Sequence, residues 1–216
     1  MIISRKRSYV FVHIPKTGGT SMALALEDRA ASDDILIGDT PKAQARRKRQ
    51  QALRAPGRLW KHSSLRDVAG LYPDDAFVFT LVRNPWDRMV SYYHWLRVQN
   101  FDHPAVEVAK AAAFPAFLRD PAVQDAVRQS GYARYVTTAE GQERCDLFAR
   151  LEHPEDLEPL WHHLGFKLSI PHANRSDRDP EWRAYYDLET FEIVREISAE
   201  DIARFGYQSA LSMAHP

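Results

Sequence analysis

The residues best suited to chemistry follow the first apolar run of the chain, in the stretch YVFVHIPKTGGTSM between Tyr9 and Met22. The glycines there permit a tight turn with positive φ and let a ligand approach the backbone closely. Backbone N–H groups at the start of a helix, with hydroxyls and an ammonium around them, form a site for an anion. We therefore predict that this loop binds a phosphate or a sulfate. The contributing residues are Lys16, Thr17, Gly18, Gly19, Thr20 and Ser21.

The order of residues in this loop argues against a nucleoside triphosphate loop. In the pattern G-x-x-x-x-G-K-[ST] the lysine follows the second glycine, whereas Lys16 precedes both Gly18 and Gly19. A plain turn from a strand into a helix remains the structural alternative, with Thr20 or Ser21 as the helix cap. The lysine and the neighbouring hydroxyls favour the anion site over this alternative.

Composition limits the classes of partner. The chain has 216 residues, with 29 Lys plus Arg and 29 Asp plus Glu, so no overall charge attracts nucleic acid or an anionic membrane. Cys145 is the single cysteine, which excludes an internal disulfide and a cysteine metal site and favours a reducing compartment. No apolar run is long enough for a signal peptide or a membrane span. We expect a cytoplasmic protein without an integral membrane segment or a bound metal.

Alternating apolar and amphipathic segments predict the fold class. Residues 10–14 and 76–82 are almost continuously apolar, which is typical of strands buried on both faces of a parallel sheet. Arg58 to His62 and Cys145 to Leu151 are predicted as shorter strands. Helical patterns separate these segments, so we predict an α/β fold with a P-loop-like open parallel sheet of about four to five strands flanked by helices.

We expect one domain over residues 1–216, with a helical C-terminal part. Residues 31–54 and 101–142 are predicted to be helical or loop insertions around an acceptor site. The first insertion contains four consecutive basic residues at 46–49. Consecutive charges point around a helix, so these residues form either a solvated helix or a contact surface for an acidic substrate.

Three reactive side chains are predicted at strand ends. Lys16 follows the first strand, His62 ends the predicted strand from Arg58, and Arg83 follows the strand ending at Val82. Ligands of α/β sheets bind beyond the carboxyl ends of the strands. A helix should start near Asn84 as N-cap and Pro85 as the first helical residue. Ser91 lies about two turns into that helix, so Arg83 and Ser91 could reach one phosphate over its start.

The two motifs together resemble a known family. HIPKTGGTS resembles the 5′-phosphosulfate loop of the sulfotransferases, and FTLVRNPWDRMVSYYH resembles their 3′-phosphate motif. The segments LEHPEDLEPLWHHLGF and PHANRS are similar to the C-terminal half of bacterial members related to the carbohydrate sulfotransferases. The resemblance covers most of the chain. It implies transfer of a sulfuryl group from 3′-phosphoadenosine 5′-phosphosulfate (PAPS) to a hydroxyl or amine, with a glycan as the favoured acceptor and no metal.

The resemblance also implies roles for individual residues. Lys16 would stabilise charge on the leaving phosphate, while the amides and hydroxyls of residues 17–21 would hold the 5′-phosphosulfate. Arg83 and Ser91 would bind the 3′-phosphate, and Arg175 is a further candidate for that phosphate.

His62 is the predicted general base, because a neutral imidazole accepts a proton near pH 7. A capping or packing histidine is the structural alternative. Families of this kind also use a glutamate as the base, so a carboxylate stays open. Lys61 would either assist His62 or only cover the site.

Three rival functions remain. A nucleotide or nucleoside kinase would share the fold, and Thr17 does follow Lys16, but Arg83 stands where the magnesium-holding aspartate would be expected. A non-catalytic nucleotide-binding or carbohydrate-binding module would keep the loop without the chemistry. The case for nucleic-acid binding through residues 46–49 is weak, since no aromatic residues interleave the basic run. The sequence carries no signal for the oligomeric state.

Overall fold

The structure is a computed structural model, and it describes residues 1–171, 173 and 178–207. The chain divides into two compact units. The first contains residues 1–82 and the described part of 132–174, and the second contains residues 83–131 and the described part of 175–216. The single domain expected over residues 1–216 stays a prediction.

The first unit is built on a five-stranded sheet with the strand order β3-β1-β2-β4-β5. Strands β2, β4 and β5 are parallel, whereas β1 is antiparallel to its neighbours β2 and β3. This arrangement confirms the predicted α/β fold with an open, mostly parallel sheet. The strands are β1 (Ile2–Ser4), β2 (Tyr9–Val12), β3 (Ile35–Leu36), β4 (Phe77–Val82) and β5 (Leu147–Arg150).

The described residues also form eleven α-helices. They are α1 (Gly19–Asp28), α2 (Pro41–Ala45), α3 (Arg47–Gln51), α4 (Pro85–Leu96), α5 (Pro104–Ala111), α6 (Phe114–Arg119), α7 (Pro121–Arg128), α8 (Tyr132–Tyr135), α9 (Glu158–Leu164), α10 (Leu188–Ile197) and α11 (Ala199–Phe205). The helical C-terminal part is thereby confirmed. None of the helices in this described part of the chain is long and apolar enough to cross a membrane.

The central strands β2 and β4 are held by packing and by one side-chain bond. The rings of Phe11 and Phe79 are buried with their centroids 5.1 Å apart. The buried Thr80 hydroxyl donates a hydrogen bond of 2.7 Å to the carbonyl oxygen of Val12. Because these strands are parallel neighbours, their carboxyl ends lie at the same edge of the sheet. The loop with Lys16 begins at that edge.

The predicted strand from Arg58 to His62 is wrong. The Ser63 hydroxyl donates to the carbonyl oxygen of Arg58 at 2.8 Å and accepts from the backbone N–H of Trp60 at 2.9 Å. These bonds close a turn, because a serine side chain competes with a sheet ladder for backbone partners. His62 therefore lies in a turn and not at the end of a strand.

Two strands were not predicted. Strand β1 has three residues and β3 has two, which is too short for a hydrophobic period to be recognised. Strand β3 lies inside residues 31–54, so that segment adds a strand to the sheet as well as the short helices α2 and α3. Helices α5 to α8 occupy much of residues 101–142. A relation of either segment to an acceptor site stays a prediction.

The core of the second unit surrounds helix α4. The buried Trp86 ring stacks on Phe191 with centroids 4.4 Å apart, and its Nε1–H donates to the Phe191 carbonyl oxygen. The Tyr186 hydroxyl donates a bond of 2.8 Å to the Trp86 carbonyl oxygen. The Asn84 side chain caps α4, and Pro85 is its first residue. These contacts hold the first turn of α4 in place.

Candidate active site

The loop between β2 and α1 carries two left-handed backbone positions. Lys16 has φ 66° and Gly18 has φ 81°. Gly18 is the N-cap of α1, without a side-chain cap bond, and the helix begins at Gly19. The prediction that Thr20 or Ser21 caps the helix is therefore wrong, because both lie inside its first turn. A left-handed conformation is unfavourable for lysine, and such strain clusters at functional sites.

The hydroxyls of the loop have different surroundings. The buried Thr17 hydroxyl donates to the Ile14 carbonyl oxygen at 2.9 Å, which braces the turn from inside. The Ser21 hydroxyl accepts from the backbone N–H of Ala173 at 3.1 Å. Thr20 instead lines a cleft of the first unit. The structure thus gives Thr17 and Ser21 bracing contacts in addition to any ligand contact.

His13 is a loop residue that sequence reasoning missed. A Cβ atom added to Gly19 would lie 2.0 Å from Cδ2 of the His13 ring, so the ring packs directly against the helix start. His13 is buried, and burial lowers its pKa well below the ordinary value. The imidazole is therefore neutral near pH 7. The adjacent glycines were the available signal, since a residue without a side chain leaves room for a close neighbour.

His13 also positions His62. Nδ1 of His62 lies 2.7 Å from the carbonyl oxygen of His13, and the two rings meet edge to face with centroids 4.7 Å apart. A carbonyl oxygen only accepts, so Nδ1 carries the hydrogen and Nε2 keeps its lone pair. Burial lowers the pKa of His62 to about 3. This half-buried side chain is thus a neutral acceptor, brought to the loop by a turn and not by a strand.

A small cleft adjoins His13 and Thr20. Its wall includes Lys61, whose Nζ lies 2.6 Å from Oδ2 of Asp39. Its lining also includes the buried Glu27, which accepts a bond of 2.7 Å from the Thr40 hydroxyl and whose pKa is raised by burial. Glu27 was not predicted, although it follows Thr20 by seven residues and so lies on the same face of α1. The Lys61 ammonium is paired with a carboxylate beside His62.

The second unit contains the other predicted anion contacts. Arg83 donates to Oδ2 of Asp87 through Nε at 2.8 Å and Nη2 at 2.6 Å. Arg178 donates to the other oxygen, Oδ1, at 2.5 Å. Ser91 is buried one turn after Asp87 on α4. Arg178 was not singled out from the sequence, and Arg175, which was, lies outside the described residues.

The fold and the loop define an α/β protein with a glycine-containing loop between a parallel strand and the start of a helix. The model of the sulfotransferase family matches residues 1–162, which is 162 of 216 residues. The chain therefore belongs to the sulfotransferase family, and the resemblance recognised in the sequence is confirmed. A search of curated proteins found no match. The matched region contains Lys16, His62, Arg83 and Ser91 but ends before Arg175 and Arg178.

Gly19→Ala should destabilise the protein by about 1–3 kcal/mol, because the new Cβ would overpack against the His13 ring. Denaturant unfolding measures the free energy. Gly131→Ala is the matched control, since its Cβ would meet nothing within 4 Å, and it should be neutral or slightly stabilising. Equal stability of the two variants would show that His13 does not require a glycine at position 19.

His62 should stay unprotonated well below its ordinary pKa. Its pKa is about 3 in the folded chain against 6.5 for an ordinary histidine, so it takes up its proton on unfolding between these values. Its contribution to stability is therefore present above pH 6.5 and is lost as the pH falls toward 3. Ring NMR should show no midpoint for His62 above about pH 5, and His62→Gln should make the loss of stability between about pH 6.5 and 5 shallower. A ring midpoint near 6.5 would contradict this prediction.

Proposed function

We propose that the protein transfers a sulfuryl group from PAPS to a hydroxyl of a carbohydrate. The observation that carries this proposal is the left-handed loop at Lys16 and Gly18, placed at the N-terminus of α1 within the region matched by the sulfotransferase family. The positive end of the α1 dipole and the backbone N–H groups at the start of that helix favour a negatively charged ligand such as a phosphosulfate.

The donor carries two anionic groups, and the proposal assigns each to its own element. The 5′-phosphosulfate contacts residues 16–21, with Lys16 as the cation. The 3′-phosphate contacts Arg83 and Ser91. Arg175 is a further candidate for the 3′-phosphate, on the resemblance of its segment alone. Recognition of the second phosphate distinguishes the donor from simpler adenine nucleotides.

The transfer itself is an in-line displacement at sulfur. The acceptor oxygen forms a new S–O bond as the S–O bond to the 5′-phosphate breaks, and the leaving group is 3′-phosphoadenosine 5′-phosphate (PAP). The sulfuryl group is only loosely bonded to either oxygen in the transition state. The protein can therefore accelerate the transfer by positioning the two reactants and by stabilising the developing charge. Lys16 neutralises the negative charge that grows on the leaving phosphate oxygen. Lys16 has a left-handed backbone conformation that is unfavourable for a lysine, and strain of this kind supports a functional role for its side chain.

His62 accepts the proton of the acceptor hydroxyl at Nε2. The bond from Nδ1–H to the His13 carbonyl oxygen fixes the required tautomer. The low pKa of His62 in the absence of ligands makes it a weak base. A weak base is sufficient if the S–O bond to the 5′-phosphate breaks before the acceptor hydroxyl loses its proton. Glu27 is the carboxylate alternative, because it lines the cleft that adjoins His13 and Thr20 and because burial raises its pKa.

A carbohydrate acceptor is favoured by the resemblance of the segments LEHPEDLEPLWHHLGF and PHANRS to bacterial members related to the carbohydrate sulfotransferases. An amine remains the alternative acceptor atom. The cytoplasmic location predicted from the sequence stays a prediction.

PAP should bind at least about 10-fold more tightly than AMP, because charge-assisted bonds to the 3′-phosphate are lost in AMP. Calorimetry with the full chain measures both dissociation constants. Equal affinities would remove PAPS as the donor. The same result would favour the kinase or a nucleotide-binding module, which magnesium-dependent ATP hydrolysis would separate.

Lys16→Ala should lower kcat by about 10²- to 10³-fold, because the charge on the leaving phosphate oxygen is no longer neutralised. Transfer of label from PAPS measures this turnover.

His62→Ala should lower kcat by about 10²-fold or more with PAP affinity retained, because the lost group acts on the acceptor proton. Transfer of label from PAPS to a panel of glycans, phenols, lipids and amines measures turnover and the acceptor class together. His162→Ala, an exposed histidine of α9, is the control. Near-normal turnover of His62→Ala would move the search for a base to Glu27.

A further inference from the structure

Trp60 is a large aromatic residue that lies at the surface beside the proposed base. It is 42% exposed, and its ring meets the His62 ring at a right angle with centroids 5.1 Å apart. A single exposed apolar residue is common in proteins and by itself indicates nothing. Trp60 differs because of its neighbour, since a molecule that brings a hydroxyl to Nε2 of His62 also comes close to the indole.

The turn that carries Trp60 is braced on both sides. The buried Ser63 hydroxyl accepts from the backbone N–H of Trp60 at 2.9 Å, and the Ser63 N–H donates to the Trp60 carbonyl oxygen at 2.9 Å. Before the turn, the N–H of Gly57 donates to the carbonyl oxygen of Asp67 at 3.1 Å. The Asp67 carboxylate accepts from the N–H of Ser64 at 2.7 Å. The indole is thus presented on an ordered turn, and a ligand that stacks on it does not have to order the turn first.

Arg58 places a positive charge next to the indole. Its guanidinium carbon lies over the Trp60 ring, 5.5 Å from the ring centroid. Arg58 is exposed, and it takes part in none of the ion pairs formed among the residues that the structure describes. Stacking on an aromatic ring orders a guanidinium without using its N–H groups. The N–H groups of Arg58 can therefore bind two oxygens of an anionic group on a ligand.

Together, the two side chains match a sugar that carries an anionic substituent. The C–H groups on one side of a sugar ring form an apolar surface that stacks on an aromatic ring, while the hydroxyls at its rim stay free for polar partners. A carboxylate on the same glycan pairs with a guanidinium. A neutral phenol or lipid would also cover the indole, but it would leave the N–H groups of Arg58 without an anion.

We propose that Trp60 and Arg58 form the acceptor-binding surface beside His62, with a sugar ring stacked on the indole and an anionic group of the same glycan bound by Arg58. This inference rests on the proposed sulfuryl transfer and narrows the acceptor to an acidic glycan. The acceptor hydroxyl is thereby held near Nε2 of His62, the atom proposed to accept its proton. Because neither Trp60 nor Arg58 contacts the donor in the proposed function, both determine the KM for the acceptor and not the rate of transfer.

Substitution of Trp60 separates acceptor binding from turnover. Trp60→Ala should raise the KM for a glycan acceptor by about 10-fold, with kcat and PAP affinity nearly unchanged, because stacking on the indole is lost. Trp60→Phe keeps a smaller ring and should fall between wild type and Trp60→Ala. Leu188→Ala is the control, since Leu188 is apolar and 62% exposed but belongs to the second unit. An unchanged KM in Trp60→Ala would overturn the proposal, and a fall in kcat alone would show that the indole only supports His62.

The role of Arg58 is tested with acceptors that differ only in charge. The probes are oligosaccharides of pectate, alginate and hyaluronan, each before and after reduction of its carboxyl groups to alcohols. Wild type should use the acidic forms with the lower KM, and Arg58→Gln should reduce this preference by about 5- to 10-fold. Arg58→Lys should keep part of it, because an ammonium retains the charge without the fork. Arg66→Gln is the control, since Arg66 is another exposed arginine of the first unit. Equal KM values for the two forms in wild type would overturn the role of Arg58.

Direct binding distinguishes this inference from the proposed function. The same oligosaccharides are added without donor, and NMR follows the indole N–H signal of Trp60, which is assigned by its absence in Trp60→Phe. If acidic oligosaccharides shift this signal but no label is transferred from PAPS, the proposed function falls and the acceptor-binding surface stands. If wild type transfers label and no oligosaccharide shifts the signal, only the acceptor-binding surface is overturned. Transfer to phenols, lipids or amines alone would also overturn it.

Discussion

The close approach of His13 to Gly19 determines the geometry of the candidate site in the first unit. A side chain at position 19 would overlap the His13 ring, so the start of α1 can lie against this histidine only because Gly19 lacks one. The His13 carbonyl oxygen then accepts the bond from His62. One contact between the His13 ring and the backbone of Gly19 thus connects the loop at the start of α1 to the proposed base.

In the second unit, side chains are held in place by charge. Long arginine side chains lose considerable conformational entropy when they are held in one geometry. Asp87 provides a fixed counter-charge at the first turn of α4, and the packed ring of Trp86 next to it keeps that turn in place. Asp87 thereby holds both guanidiniums by one carboxylate, with one arginine on each oxygen.

Prediction from the sequence succeeded where the pattern was long or chemically unusual. The apolar run of β4 and the Asn84-Pro85 start of α4 both appear as predicted. It failed for the segment from Arg58 to His62, where a single serine hydroxyl closes a turn that hydrophobic periodicity does not reveal. Strand β3 was missed because two residues carry no period. Short elements depend on their partners in the sheet and not on their own residues.

The sequence by itself determined the family, the position of the glycine loop and the α/β fold, because these depend on local residue types in a fixed order. The tertiary structure alone decided which side chains contact one another within each unit. Glu27 and Arg178 lie outside the motifs, and the motif that contains His13 does not reveal that this ring packs on Gly19. Contacts between residues distant in sequence arise from packing, which no local pattern encodes. For that reason the motifs predicted an anion site, whereas packing decided the contact of His13 with His62 in the first unit and the pairing of Arg83 and Arg178 with Asp87 in the second.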